Sequence, residues 1–411
     1  MEMKMSKYRV AYNREAIDDI NQTVIQEMDG SGIRIYPGMK IAIAVGSRGI
    51  NNLAEIVRSV VSYLKAKGAE PFIVPAMGSH GGANAKGQIE VLEGYQVTES
   101  YTGAPIKSSM AVVELPNDGL ATKVYMDKYA YEADGTIIIN RIKAHTDFHD
   151  KFESGLVKMC VIGLGKHKQA LAIHHFRLKG LREMIAPAAE KVIEHGNILL
   201  GIGIVENAYD QTKIIKAIKP KDFFTEEPKL LKISKESMPK LPVDDLDILI
   251  IDEMGKDISG VGLDTNIIGR MKVGDRNEPE YPRITNIVIT DLTEASHGNA
   301  LGLGLGDIIT QRLFDKINLK AMYANVITST FLDRGKIPVI AKDDLEALDY
   351  AIITCGAVKK ENLKVIRIKN TLKLGEFYAT KAVGKLLKNN PDITLVEEES
   401  NVFNRRVLKT F

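Results

Sequence analysis

Residues 40–74 read KIAIAVGSRGINNLAEIVRSVVSYLKAKGAEPFIV. Lys40 to Val45 make a short β-type run, Gly46-Ser47-Arg48-Gly49 a small-residue loop, and Leu53 to Lys67 carry apolar positions at helical spacing before Gly68. Pro71 to Val74 then reads as another strand. Strand, covering helix and strand in that order form a βαβ unit, and repeated units imply a largely parallel sheet clothed by helices. The order recurs: a strand over Gly135 to Asn140, one or two helices over Lys168 to His195 broken near Pro187, and a strand over Asn197 to Val205. The expected fold class is α/β, with two α/β domains, mostly parallel helix-covered sheets and an interdomain active-site cleft.

Between Lys219 and Pro242 the composition shifts to lysine, proline and glutamate with few apolar anchors, which suits an interdomain excursion. The boundary is placed there, giving residues 1–240 as the domain with the reaction centre and 241–411 as a second α/β domain closing the cleft. In the second half, strands are expected at Asp247 to Asp252, Asn286 to Thr290, Met322 to Ile327, Ile337 to Ile340, Tyr350 to Thr354 and Leu363 to Ile368.

A chain of 411 residues is too long for one typical core, and an apolar fraction of 45% suffices to fill two. A net charge of +2 from nearly balanced acids and bases gives no nucleic-acid or membrane-surface footprint, so a small molecule is the expected partner. Association with further copies is left open. Two cysteines, Cys160 and Cys355, cannot form a disulfide framework and fit a reducing interior. No apolar run is long enough for a signal peptide or a membrane span, and a cytoplasmic location is expected.

Five of the eight histidines, His145, His149, His167, His174 and His175, fall in one window with Lys158, the single amine of an apolar, glycine-bounded run from Ser154 to Gly165. Crowded imidazoles point to acid/base or metal chemistry. A desolvated lysine becomes nucleophilic, whereas a snorkelling one does not. Ser79-His80-Gly81-Gly82 leaves one imidazole on a small-residue loop after a strand. His145 and His149 would share a face if helical, one half of a zinc pattern without a third ligand. Gly163-Leu164-Gly165-Lys166 is not a Walker loop, because Cys160 and His167 stand where that motif needs glycine and serine or threonine. A glycine-led helix start can still hold an anion. Ser79-His80, Lys143-Ala144-His145 and Arg48 all follow expected strands, so one shared crevice could collect them. In the second half, Gly260 to Asn266, Arg270, Lys272 and the Ser296-His297-Gly298-Asn299 loop suit carboxylate or phosphate binding.

On these residues the chain is similar to the nickel-dependent lactate racemase family, across both halves. The family binds a nickel-pincer nucleotide, a pyridinium dithio-mononucleotide tethered to a lysine, with a histidine completing the nickel site. The resemblance implies Lys158 as tether and His174, not His175, as nickel ligand. It further implies His80 and His145 as the two catalytic bases, with His149 a competitor for the second. Ser47, Arg48, Gly163 and Gly165 are then placed at the cofactor, and Lys143, Arg270, Lys272 and His297 at the substrate. The family's aspartate three before Arg48 is Val45, its glutamine before Lys272 is Gly269, and the chain has no tryptophan. These departures imply another 2-hydroxy acid, lactate-like, malate-like or a sugar acid. The implied reaction is racemisation or epimerisation by reversible hydride transfer, with cofactor-building proteins as transient partners. A zinc hydrolase using His145 and His149, and a hydroxy-acid binding protein without turnover, are the alternatives.

Overall fold

Alternate residues of the strand Lys40–Val45 face two different cores. Ile41, Ile43 and Val45 pack with Ile56, Val57, Val60 and Leu64 of the helix Leu53–Ala66, whereas Ala42 and Ala44 face Leu156, Val157, Met159 and Val161. A strand buried on both faces is what a parallel, helix-covered sheet requires. The structure, a computed structural model, describes residues 3–47, 49–274 and 278–411; Arg48, expected at the cofactor, lies outside the described residues. The chain divides into two units, Asn13–Met238 and Met1–Tyr12 with Pro239–Phe411.

The first strand, β1 (Lys4–Val10), belongs to the second of these units, although the sequence reading gave residues 1–12 to the first domain. In the unit Asn13–Met238 the strands are β2 (Lys40–Val45), β3 (Glu70–Pro75), the hairpin of β4 (Val112–Leu115) with β5 (Val124–Asp127), then β6 (Gly135–Arg141), β7 (Ile198–Glu206) and β8 (Thr212–Ile218). The main sheet runs β3-β2-β6-β7-β8, parallel except for β8.

In the other unit, β9 (Asp245–Ile251), β10 (Arg283–Ile289), β11 (Ile308–Thr310), β12 (Val339–Ala341), β13 (Val365–Ile368), β14 (Glu376–Ala379) and β15 (Ile393–Asn401) join β1. The order is β12-β11-β10-β9-β13-β14-β1-β15, parallel from β12 to β13 and antiparallel beyond. Both units are therefore α/β with mostly parallel sheets. β1 sits there because its hydrogen-bonding edges are filled by β14 and β15.

Several expectations are corrected. Met322 to Ile327 and Tyr350 to Thr354 are helical, within Leu319–Ser329 and Asp344–Thr354. Asn318 and Asp343 cap these helices, and Met322 with Val326, and Leu348 with Ala351, are buried at helical spacing. The supposed linker holds a helix, Phe223–Ser237, whose Phe223, Leu230 and Leu231 pack into the first unit. The helical run expected to break at Pro187 breaks instead at Arg177, with φ of 53°. Pro187 lies inside a helical run that continues through it, the π-turn Gly180–Met184 leading directly into Ile185–His195. Among the described residues no helix is long and apolar enough to cross a membrane.

Candidate functional site

From β2 the chain winds outward to β3 on one side and later returns to β6 on the other. Loops beyond the carboxyl ends of strands at such a reversal splay apart and leave a crevice, the general ligand position in open α/β sheets. Ser47 follows β2, His80 follows β3, and Lys143 and His145 follow β6.

The His80 loop is fixed from beneath. Ser47 Oγ contacts His80 Nδ1. Gln88 is buried and donates to the carbonyls of Gly78 at 3.0 Å and His80 at 3.3 Å. Its own oxygen accepts from Lys166 Nζ at 3.2 Å. Lys166, fully buried and with φ of 56°, also donates to the Pro75 carbonyl. Its Nζ lies 3.1 Å from Asp127 Oδ2, off the hydrogen-bonding direction, so the contact is an ion pair more than an aligned bond. Burial raises the Asp127 carboxyl and lowers the Lys166 amine, each opposed by the other's charge. Gly81 has φ of 63°, and a side chain there would strike the Gly87–Gln88 backbone.

Beyond β6 the chain forms a loop closed by Lys143 and Ser154, whose backbones exchange hydrogen bonds of 2.9 and 3.2 Å. The buried carboxylate of Glu153 is its hub. It accepts from the His145 amide at 2.6 Å, the Asp150 amide at 3.2 Å and Lys235 Nζ at 2.5 Å, with the His149 ring at 3.3 Å. Burial alone would raise the Glu153 carboxyl, but His149, Lys235 and the His145 amide bring it below its ordinary value. His145 Nδ1 accepts from the Asp147 amide at 3.0 Å, and Nε2 contacts Lys158 Nζ.

Lys158 ends the turn Leu156–Lys158, which continues through a π-turn, Met159–Gly163, into the helix Lys166–His174. Glu227, wholly buried on the helix Phe223–Ser237, accepts the Val157 amide at 2.8 Å, and burial pushes its carboxyl up to about 7 against the Val157 and Leu156 amides. The glycines bracketing Lys158 have partners within the chain. A side chain at Gly155 would collide with Glu227, one at Gly163 with Met159, and one at Gly165 with Gln169. Gly78 N and Gly163 O, 3.4 Å apart, join the His80 loop to this segment. His174 is half-buried and His175 exposed. Burial holds the His174 imidazole below its ordinary range; the Lys158 amine, so far as it is charged, adds to this and Asp147 opposes it.

The structure thus brings together Ser47, His80, Lys143, His145, Lys158 and His174 around one sheet end. Arg270, Lys272 and His297 lie in the other unit. Arg270 bonds Asp307 at 2.6 Å and the carbonyls of Ile284, Thr285 and Leu305, Lys272 Nζ donates to Gly304 O at 2.7 Å, and His297 is exposed on a turn. Residues 145–149 form no helix, so His145 and His149 do not share a helical face. Among the described residues no group of three or more histidine, cysteine or acidic side chains is placed to hold a metal. Sequence reasoning missed Gln88, Glu153, Lys166, Glu227 and Lys235. Their sequence neighbours give no signal of burial: Glu227 stands among Thr225, Glu226, Pro228 and Lys229, a polar stretch.

A protein-family profile described as "Domain of unknown function (DUF362)" matches residues 40–218. No curated protein matches the chain by sequence. Among solved structures, the lactate racemase apoprotein from Thermoanaerobacterium thermosaccharolyticum is similar with a TM-score of 0.56 and 12% identity, over 89% of this chain and 99% of that one. A protein from Thermotoga maritima is similar over 66% of this chain and 69% of its own at 13% identity, but its TM-score of 0.48 supports no inference. The chain has a lactate racemase-like fold.

Proposed function

We propose that the chain is a racemase or epimerase of a 2-hydroxy acid, working with a nickel-pincer nucleotide carried on Lys158. The observation that carries this reading is the meeting of a lysine amine, the His145 ring in contact with it and the half-buried His174 ring near it on one segment beside the sheet reversal. The donor set fits such a group. Lys158 can be acylated, and His174, held below its ordinary pKa, offers the neutral lone pair that a metal ligand needs at neutral pH. The bound group would supply an acceptor for the hydrogen on the substrate's hydroxyl-bearing carbon.

The chain's own residues do the proton work. His80 and His145 hang from strands on opposite sides of β2, a separation that suits two bases serving opposite faces of a flat 2-oxo acid. One takes the hydroxyl proton and the other returns a proton from the far side. Ser47 orients His80 through Nδ1, and the Asp147 amide orients His145 through Nδ1. Lys143 sits on the same loop as His145 and is assigned to the carboxylate.

The test is co-expression with the proteins that build the pincer nucleotide, followed by intact mass and nickel analysis. A nucleotide-sized adduct on Lys158 with about one nickel per chain is expected, and then turnover of one compound in a panel of chiral lactate-like, malate-like and sugar acids. Unmodified Lys158, under conditions that load a known racemase, refutes the reading.

A further inference from the structure

Because the Asp147 amide donates to His145 Nδ1, the proton of the neutral imidazole sits on Nε2, an assignment that follows from the hydrogen-bond network. Nε2 is the atom in contact with Lys158 Nζ. A protonated Nε2 can only donate, and an ammonium can only donate. As a hydrogen bond, such a contact needs the lone pair of an uncharged amine.

This arrangement depends on where the His145 backbone lies, and Glu153 decides that. Its carboxylate gathers the amides at both ends of the loop, His145 and Asp150, and is itself countered by Lys235 from the helix Phe223–Ser237. We propose that Glu153, neutralised by Lys235, is a positioning residue that fixes His145 as the Nε2–H tautomer and so keeps Lys158 an uncharged amine, ready to attack an acyl or carbonyl carbon. The proposal rests on the reading of Lys158 as the attachment point and deepens it, since the tether lysine is activated by the protein before any cofactor arrives.

Acetic anhydride tests this without nickel or nucleotide. The amine forms the C–N bond, acetate leaves, and the proton passes to solvent. An ordinary lysine near neutral pH holds only about one amine in a thousand in reactive form. Peptide mass spectrometry of the full chain should show Lys158 acetylated faster than the exposed lysines. Glu153→Gln keeps the volume but offers one acceptor oxygen in place of two, so either the His145 arm or the Lys235 arm is lost. It should slow Lys158 by at least about tenfold and move the His145 ring nitrogen shifts away from the Nε2–H pattern. Lys235→Met, at a side chain 38% exposed, should produce the same two changes in smaller degree even where Glu153→Gln does not fold. Unchanged Lys158 rates and His145 shifts in folded Lys235→Met protein overturn the proposal. Failure to load nucleotide, with the acetylation pattern as expected, would refute the racemase reading alone.

Discussion

Glu227 makes stability depend on pH in a direction opposite to carboxylates that their partners hold below the ordinary range, such as Glu153. Its carboxyl is raised from 4.5 to about 7 by complete burial, with the Val157 and Leu156 amides only partly offsetting the cost, and Oε1 has no hydrogen-bond partner among the described residues. A carboxyl whose folded pKa lies above its unfolded value stabilises the fold below the unfolded pKa, and that stability drains as pH rises through the folded pKa. At about 1.4 kcal/mol per unit, the whole shift is worth roughly 3 kcal/mol, of which about 2 kcal/mol is lost between about pH 5.5 and 8.5. Glu227→Gln mimics the protonated acid at every pH. Because the chain has no tryptophan, urea unfolding followed by far-ultraviolet circular dichroism is the suitable assay. The variant should gain about 2 kcal/mol on the wild type between those two pH values, other titrations cancelling in the difference. Parallel stability profiles would show that Glu227 is not desolvated as the structure has it, and the capping argument for the Lys158 segment would fall with it.

Lys166→Met should cost about 3–5 kcal/mol, because it leaves Asp127 charged and buried, and adding Asp127→Leu should recover a large part of that loss in the same unfolding assay. Gly155→Ala should lower the melting temperature and slow Lys158 acetylation together, since the added methyl meets the Glu227 carboxylate, and Glu227→Ala should relieve the first effect. Glu153 has the opposite sign to Glu227: its carboxyl is lowered, so the stabilisation it contributes is present above the ordinary carboxylate range and lost in acid. The melting temperatures of wild type and Glu153→Gln should therefore converge as pH falls, and a constant gap would contradict this.

The sheet of the first unit was legible because Ile41, Ile43 and Val45 are apolar and the intervening positions small, so the strand announced burial on both faces. The helices Leu319–Ser329 and Asp344–Thr354 were misread because their apolar runs carry isoleucine and valine, side chains that favour strands in isolation, while the deciding information lay in the capping residues Asn318 and Asp343. The place of β1 was illegible for a different reason: its partners β14 and β15 are more than 350 residues away in sequence, as in the pairing of Ser6 with Ala379, and no local pattern encodes that distance. At the site, His80, His145, Lys158 and His174 were visible as residue types. The acids and amides that hold them were not, because Glu153 and Glu227 look like solvated charges until their burial is seen.

That asymmetry bears on how the glycines are understood. The family resemblance puts Gly163 and Gly165 at the cofactor, yet these two and Gly155 each face part of the chain itself. Their effect is to let Glu227, Met159 and Gln169 pack tightly around a segment whose one outward-facing amine is Lys158. A lysine on a turn capped by a buried carboxyl, braced at Gly163 by the His80 loop and met at its amine by His145, has little freedom left to snorkel. Glycine spacing here therefore specifies how rigidly the amine is held, and the identity of whatever it binds must be read from the imidazoles around it. The acetylation rate of Lys158 separates these two roles: Gly163→Ala should lower it if the glycine serves rigidity, and should leave it unchanged in the isolated chain if the glycine serves only a ligand.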